Sequence, residues 1–200
     1  MKKSRLVTLG AIILICMLAL TGCGQPSPEE VVTSFFDALT SGSYDEAENL
    51  VEGSDEEKEE LFGTLNKEER DADDEASDKM VETLFKAVKY DEVKEVSVKD
   101  DVAKVSVKVT ALDSAKIMQA SMDEVMNIAF SDEYMNATDE ESTKMINDIL
   151  LKHFTAKDAP MVTNTVEVTL HNTDDGWEIV IDDPLLDGVT GGLISFTESE

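Results

Sequence analysis

The stretch Ala103-Lys104-Val105-Ser106-Val107-Lys108-Val109-Thr110-Ala111 alternates apolar and polar side chains over nine residues. Successive side chains of a β-strand point to opposite faces of a sheet, so this period of two predicts a strand with one buried face and one lysine-rich, solvated face. Asp100-Asp101 precedes it as a turn, and Val96 and Val98 alternate with polar residues before that turn. The region therefore predicts a β-hairpin.

A second hairpin is predicted towards the C-terminus. Residues 161–171 carry several valines and a leucine, which fall on one side of a strand in its latter part. Residues 172–176, Asn-Thr-Asp-Asp-Gly, have the composition of a tight turn. Trp177, Ile179 and Ile181 then recur with a period of two and form the expected buried face of a further strand. Together the two hairpins predict an antiparallel sheet of about four strands.

The segment between the hairpins, residues 113–154, has helical spacing instead. A helix is predicted from Asp113 to Phe130, and a second helix begins at Thr138, which forms a capping box with Glu141. We expect this pair to be an insertion that packs over the sheet or extends its edge. It is rich in methionine, which adapts to irregular gaps and to varied partners. We expect core filling for most of these methionines, and we regard the pair as the best place for a groove: Met118, Met122, Met126, Met135 and Met145.

Helices are predicted before the first hairpin. Ser27-Pro28-Glu29-Glu30 has the pattern of a capping box and opens a helix that Gly42 ends. Shorter helices are expected at 43–51 and after Ser54, which has the pattern of a capping box with Glu57, and a longer one at 77–90. Near the C-terminus a short helix is expected after Asp183-Pro184, beyond which three glycines are expected to loosen the chain: Gly188, Gly191 and Gly192.

Residues 28–47 read PEEVVTSFFDALTSGSYDEA, a long helix followed by a Gly-Ser-Tyr turn and a helix containing alanine, and residues 175–179 read DGWEI. These two segments resemble lipoprotein domains with a nuclear transport factor two-like fold. The resemblance implies an α+β, cystatin-like cone in which N-terminal helices pack on a curved antiparallel sheet. The helix pair at 113–154 departs from the simplest version of that fold. Many such domains have no assigned function.

At the start of the chain, Leu20-Thr21-Gly22-Cys23 follows an apolar run at 6–20 and a basic start at 2–5. This arrangement resembles a bacterial lipoprotein signal peptide with its lipobox. The alternative, an uncleaved membrane span, needs about 20 apolar residues, and this run is shorter. The resemblance implies removal of 1–22, lipid on Cys23, a tether at 23–27 and a single domain at 28–200. It also implies attachment to the extracytoplasmic face of a cell membrane, as in Gram-positive bacteria.

Charge and cysteine content exclude several function classes. The net charge is −27, and removal of 1–22, which carries three basic and no acidic residues, leaves 14 basic against 44 acidic residues, or −30. Nucleic-acid binding requires a basic surface and is not expected. Cys16 lies in the predicted signal peptide and Cys23 at the lipid anchor, so the domain has no thiol for a disulfide, a nucleophile or a zinc site. No cofactor and no metal are expected.

The sequence leaves three functions open. The first is a non-catalytic module for a small ligand, a peptide or an envelope protein, with a pocket lined by Phe35, Val107, Met122 and Trp177. The second is a small isomerase or hydratase that uses a buried carboxylate such as Asp37. The third is an acidic surface protein that collects divalent cations through residues 71–78, although that segment lacks the glycine of an EF-hand loop. No catalytic motif is present, and the chain is not expected to be an enzyme.

Overall fold

The computed structural model describes residues 25–66 and 75–198. The predicted signal peptide, Cys23 and the first half of the acidic segment, residues 71–74, lie outside these residues. The described helices are α1 (Pro28–Ser41), α2 (Tyr44–Glu48), α3 (Asp55–Asn66), α4 (Glu75–Ala87), α5 (Ser114–Ala129), α6 (Asp132–Met135), α7 (Asp139–Phe154), α8 (Asp183–Thr190) and α9 (Leu193–Glu198). The strands are β1 (Lys89–Lys99), β2 (Val102–Leu112), β3 (Met161–Thr173) and β4 (Gly176–Ile179).

The four strands form one open antiparallel sheet in the order β1-β2-β3-β4. β2 and β3 pair without a break from Val102↔His171 to Leu112↔Met161, whereas the pairing of β1 with β2 has two register shifts. The helices α5, α6 and α7 lie between β2 and β3 in the sequence. The predicted α+β class, the four strands and the helical insertion between the hairpins are thus confirmed.

The alternation in β2 has the predicted consequence. Its inward side chains are essentially inaccessible to solvent: Ala103, Val105, Val107, Val109 and Ala111. On the other face Lys104 forms an ion pair with Glu167 of β3, and the hydroxyls of Thr110 and Thr163 lie 2.8 Å apart. Helices α1, α4 and α8 contact β2, so the helical layer covers its apolar face.

Helix α1 provides the largest aromatic contribution to the core. Phe36 is fully buried, with its ring edge-on to Phe35 at 5.6 Å and stacked on Tyr90 at 5.1 Å between centroids. Tyr90 was predicted to end a helix, and that prediction is wrong. Helix α4 stops at Ala87, and Tyr90 pairs with Val109 in the sheet because strand pairing recruits the backbone two residues beyond the helix.

A second, smaller core cluster joins the insertion to the rest of the domain. It contains Leu84 of α4, Leu112 of β2, Ile117 of α5 and Phe154 of α7, all buried. The insertion therefore packs mainly against helices and reaches the sheet at the end of β2, rather than lying over the sheet. Every residue of both described clusters lies within residues 31–193. A chain of residues 25–200 thus contains the complete described core and is expected to fold on its own.

Two of the three C-terminal glycines, Gly188 and Gly191, are tightly packed, which contradicts the expectation that they loosen the chain. Gly188 lies inside α8, where an added Cβ would come within 2.4 Å of Val166 Cγ2. Gly191 ends α8 with a φ of 63°, and its carbonyl accepts a hydrogen bond from the Ser114 N–H at 3.0 Å. Small residues are required here because the helix lies directly against β2 and β3.

Three predicted capping boxes are confirmed. The backbone N–H groups of Ser27, Ser54 and Thr138 each donate to the carboxylate of the glutamate three residues later, at 2.8 Å in every case. These hydrogen bonds stabilise the ionised carboxylates and hold the pKa values below their usual range: Glu30, Glu57 and Glu141. The boxes open α1, α3 and α7.

The capping boxes predict a pH dependence of stability. A glutamate whose pKa is lower in the folded than in the unfolded state stabilises the fold at pH values above its ordinary pKa of 4.5. This stabilisation is lost as the pH falls through the lowered pKa. Glu141→Gln keeps the hydrogen-bonding shape of the box but does not titrate. We expect urea unfolding of residues 25–200, from about pH 7 to about pH 3, to show a shallower acid decline for this variant. Glu140→Gln removes a neighbouring charge that takes no part in the box and serves as the control. If the unfolding free energy declined equally steeply with falling pH in the two variants, the prediction would be contradicted.

Candidate functional site

One apolar cavity lies between α1, α3, α4 and α8. Its volume is about 40 Å³, far below the ~150 Å³ of an engineered cavity that accepts benzene. The wall contains only apolar side chains: Phe35, Leu39, Phe62, Phe85, Ile181, Leu185, Leu186 and Val189. A cavity of this size holds no organic ligand unless the side chains around it move.

The four residues predicted to line a pocket occupy different places. Phe35 lies in the cavity wall, and Val107 lies at the centre of the main core cluster. Trp177 is partly buried against the same cluster. Met122 lies on the helical insertion and is exposed to solvent. Three of the four therefore belong to or pack against one core, while Met122 lies on a separate surface.

Asp37, the candidate catalytic carboxylate, lies on the exposed side of α1. Its Oδ1 accepts a hydrogen bond from the Tyr90 hydroxyl at 2.5 Å. Burial of Tyr90, together with the hydrogen bond and the charge of Asp37, raises the pKa of Tyr90 to about 12. Tyr90 therefore keeps its proton at neutral pH, and the pair forms a link between α1 and β1 at the surface.

Each histidine pairs with a glutamate. Nε2 of His153 lies 2.8 Å from Glu124 Oε2, and Nδ1 of His171 lies 2.7 Å from Glu52 Oε2. Neither pair recruits a third ligand: across residues 25–66 and 75–198, no group of three or more histidine, cysteine or acidic side chains is arranged to hold a metal ion.

Among the helices that the structure describes, each is too short or too polar to span a lipid bilayer.

The insertion is attached firmly to the domain at the start of α5. The Asp113 N–H donates to the Pro160 carbonyl at 2.8 Å, and the Asp113 carboxylate caps the helix by accepting from the Lys116 N–H at 3.1 Å. Ser114 is fully buried, and its hydroxyl donates to the Thr190 carbonyl. Ile117 then packs into the second core cluster. The first turns of α5 are therefore fixed by buried contacts.

Beyond the first turns, α5 and α7 are joined by a charged cluster. Lys152 Nζ lies 2.7 Å and 2.9 Å from the two oxygens of Glu124, and His153 contacts the same carboxylate. Hydrogen bonds from Lys152 and then His153 hold the pKa of Glu124 below its usual range. The cluster orients α5 against α7 but leaves the far side of α5 without a covering element among the described residues.

Exposed apolar side chains lie on that far side at Met122, Met126 and Phe130, and another follows in α6 at Met135; we name these four residues the methionine strip. Their exposed fractions are 45%, 56%, 77% and 62%. At roughly 100° per residue, Met126 lies opposite Ile117 around α5, with Met122 and Phe130 about 40° to either side of it. The buried and exposed apolar residues of α5 thus lie on opposite faces of one helix.

This arrangement corrects the expectation that most methionines of the insertion fill the core. Met118 packs partly against the second cluster, but Met122, Met126 and Met135 are exposed. The sequence does contain a signal for the strip. Apolar residues occupy both faces of α5, more than one helix needs to bury against one neighbour.

Comparison with known protein families identifies the family to which the chain belongs. Residues 34–193 match DUF5105, a domain of unknown function, and the chain belongs to this family. No curated protein matches the sequence.

Among solved structures, the fold is similar to that of ycdA from Bacillus subtilis, a protein described as a "putative lipoprotein". The match has a TM-score of 0.52 and 21% sequence identity, and it covers 80% of this chain. The chain spans 54% of the length of ycdA. At this identity, the likeness concerns the fold.

Proposed function

We propose that this protein is a lipid-anchored, extracytoplasmic member of the DUF5105 family that binds an envelope partner at its surface without catalysing a reaction. The observation that carries the anchor is the lipobox-like Leu20-Thr21-Gly22-Cys23 after a basic start and a short apolar run. A diacylglyceryl group on Cys23 supplies two acyl chains, and two chains are what stable anchoring requires. The description of ycdA as a lipoprotein agrees with this proposal.

We also propose that the domain has the nuclear transport factor two-like, cone-shaped fold. Helices α1, α4 and α8 pack on one face of an antiparallel sheet, and the capped opening helix is followed by a Gly-Ser-Tyr turn, as the resemblance requires. The large insertion α5–α7 between the hairpins is the main departure. Such a scaffold specifies no activity by itself, so function has to be argued from surfaces and cavities.

Surface binding is favoured over a ligand held inside the domain. The interior between helices and sheet is filled by buried side chains, with only about 40 Å³ free in the cavity beside Phe35. Asp37, the carboxylate considered for catalysis, lies at the surface in a hydrogen bond with Tyr90. The methionine strip, by contrast, presents four exposed apolar side chains to solvent on α5, its C-terminal end and α6, and the first turns of α5 are held by buried contacts.

The anchor is tested by replacing Cys23. Cys23→Ala removes the only sulfur at the proposed cleavage site, so we expect loss of incorporated labelled fatty acid, with the chain either released from membranes or left unprocessed. The measurement is metabolic labelling with a radioactive or clickable fatty acid, followed by fractionation of cells. Cys16→Ala is the matched control, because that cysteine lies inside the proposed signal peptide, and it should label normally. Normal labelling of Cys23→Ala would refute the anchor.

A further inference from the structure

We propose that the methionine strip binds a basic, amphipathic helical segment of a partner protein. This inference deepens the proposed function: it rests on the proposed binding role, but it is independent of the lipid anchor. It follows from three properties of the insertion, namely its apolar surface, its charge and the length of its exposed face.

The apolar surface lies on a helix whose first turns are held by buried contacts and whose opposite face has no covering element among the described residues. Ser114 and Ile117 are buried near the start of α5, while Met122, Met126 and Phe130 continue along the helix in contact with solvent. Exposed apolar side chains in a contiguous row mark interaction surfaces in soluble proteins. Methionine has a flexible, polarisable side chain, which suits a surface that must fit the irregular apolar face of another helix.

The charge of the insertion selects a basic partner. Residues 113–154 contain nine acidic residues against three lysines, a net charge of −6. Each lysine is already paired within the insertion: Lys116 with Asp113 at 2.7 Å, Lys144 with Asp148 at 3.1 Å and Lys152 with Glu124 at 2.7 Å. The negative field that remains is therefore directed outwards, and it attracts lysine and arginine side chains.

Carboxylates stand beside the strip itself. Asp123 follows Met122, and Asp132 and Glu133 lie between Phe130 and Met135, all three exposed. None of the three forms an ion pair with a residue that the structure describes. An apolar row bordered by such carboxylates matches a helix with apolar residues on one face and basic residues at the flanks. A second copy of this chain would bring the same −6 charge to the contact, and a bilayer rich in anionic lipid would be repelled for the same reason.

The spacing of the strip favours a helical partner. The row from Met122 through Met126 to Phe130 covers a separation of eight residues, which is about 12 Å at the helical rise of 1.5 Å per residue. Helices that dock on apolar surfaces use anchors at i, i+3 or i+4 and i+7, a row of closely similar length. A partner segment of about three to four turns therefore covers the strip from Met122 to Met135.

The test uses methyl NMR of residues 25–200 labelled with ¹³C at the methionine methyl groups, at about 0.15 M salt to screen non-specific attraction. The probe is a synthetic peptide of about 14 leucine and lysine residues with its leucines on one helical face. A peptide of the same composition, with the leucines spread around the helix, is the reference. We expect saturable shifts of the Met122, Met126 and Met135 methyls with the amphipathic peptide. Met80 of α4 and Met161 of β3 should not shift.

Two double variants distinguish binding by the methionine strip from electrostatic attraction to the acidic surface in general. Met126→Ser/Phe130→Ser keeps every charge and is expected to weaken binding of the amphipathic peptide about tenfold or more. Val96→Ser/Val98→Ser removes two exposed apolar residues from β1 and should leave the affinity unchanged. Circular dichroism of both variants verifies that they are folded.

The inference is overturned if the reference peptide binds as tightly, if Met161 shifts together with the strip, or if the two double variants bind alike. Any of these three results would leave the proposal of a lipid anchor unaffected, because lipid labelling of Cys23 is measured separately. Normal fatty-acid labelling of Cys23→Ala together with intact peptide binding has the opposite meaning. It would remove the anchor and keep the partner class.

Discussion

Gly191→Ala is expected to lower the free energy of unfolding by roughly 3–5 kcal/mol, an exceptionally large effect for the addition of one methyl group. Gly191 has a φ of 63°, where a residue with a side chain is strained. The added Cβ would also lie 1.7 Å from the carbonyl oxygen of Leu112, a backbone atom that cannot rotate away. Relief of the clash would separate α8 from the end of β2 and break the hydrogen bond from Ser114 to Gly191.

The neighbouring glycine provides the control for backbone strain. Gly192 has a φ of 91°, but an added Cβ there would be no closer than 3.9 Å to another atom, at Ala115. Gly192→Ala should therefore cost only the strain of the backbone, of order 1–3 kcal/mol. Chemical denaturation of residues 25–200 in both variants measures the difference. Equal losses would show that the approach of Gly191 to Leu112 does not govern stability.

Phe36→Ala is expected to cost about 3–5 kcal/mol, the usual range for removal of a buried phenylalanine ring. Phe36 is completely inaccessible to solvent and joins α1 to the sheet through Tyr90, with 5.1 Å between the ring centroids. The substitution removes apolar contact area and leaves a void between α1 and β1. Its effect should appear as a lower denaturation midpoint with little change in slope.

Phe130→Ala is the matched control, because the same ring is removed from a side chain that is 77% exposed. Its unfolding free energy should stay within about 0.5 kcal/mol of the parent chain, as for surface substitutions in general. A large loss at Phe130 would mean that its ring is packed in solution, and the methionine strip would then not be available for a partner. The pair of variants thus tests both the core and the surface.

Local signals were sufficient for the helix starts and for the central strand. A capping box is contained in four consecutive residues, such as Thr138 to Glu141, so its hydrogen bonds depend little on the rest of the fold. The alternation in residues 103–111 likewise encodes one buried and one polar face without reference to a partner strand. These patterns were enough to predict an α+β domain with a helical insertion between two hairpins.

Signals that depend on distant partners were misread or incomplete. The helical spacing before Tyr90 continues past the true end of α4, and only pairing with Val109 assigns Tyr90 to the sheet. Glycine is ambiguous in the same way. In the sequence, Gly188 and Gly191 indicate flexibility, whereas in the fold they permit α8 to approach Val166 and Leu112. The difference arises because the close neighbours are more than 20 residues away in the chain.

The sequence by itself determined the class of the fold, the acidic character of the surface and the lipobox-like start, because each is encoded in composition or in a few adjacent residues. Only the tertiary structure decided which apolar residues of the helices are buried. Phe35 of α1 and Met122 of α5 look equally suited to a core, yet Met122 is exposed because nothing among the described residues packs on that side of α5. Burial depends on which elements meet, and that is a property of long-range packing rather than of the local pattern.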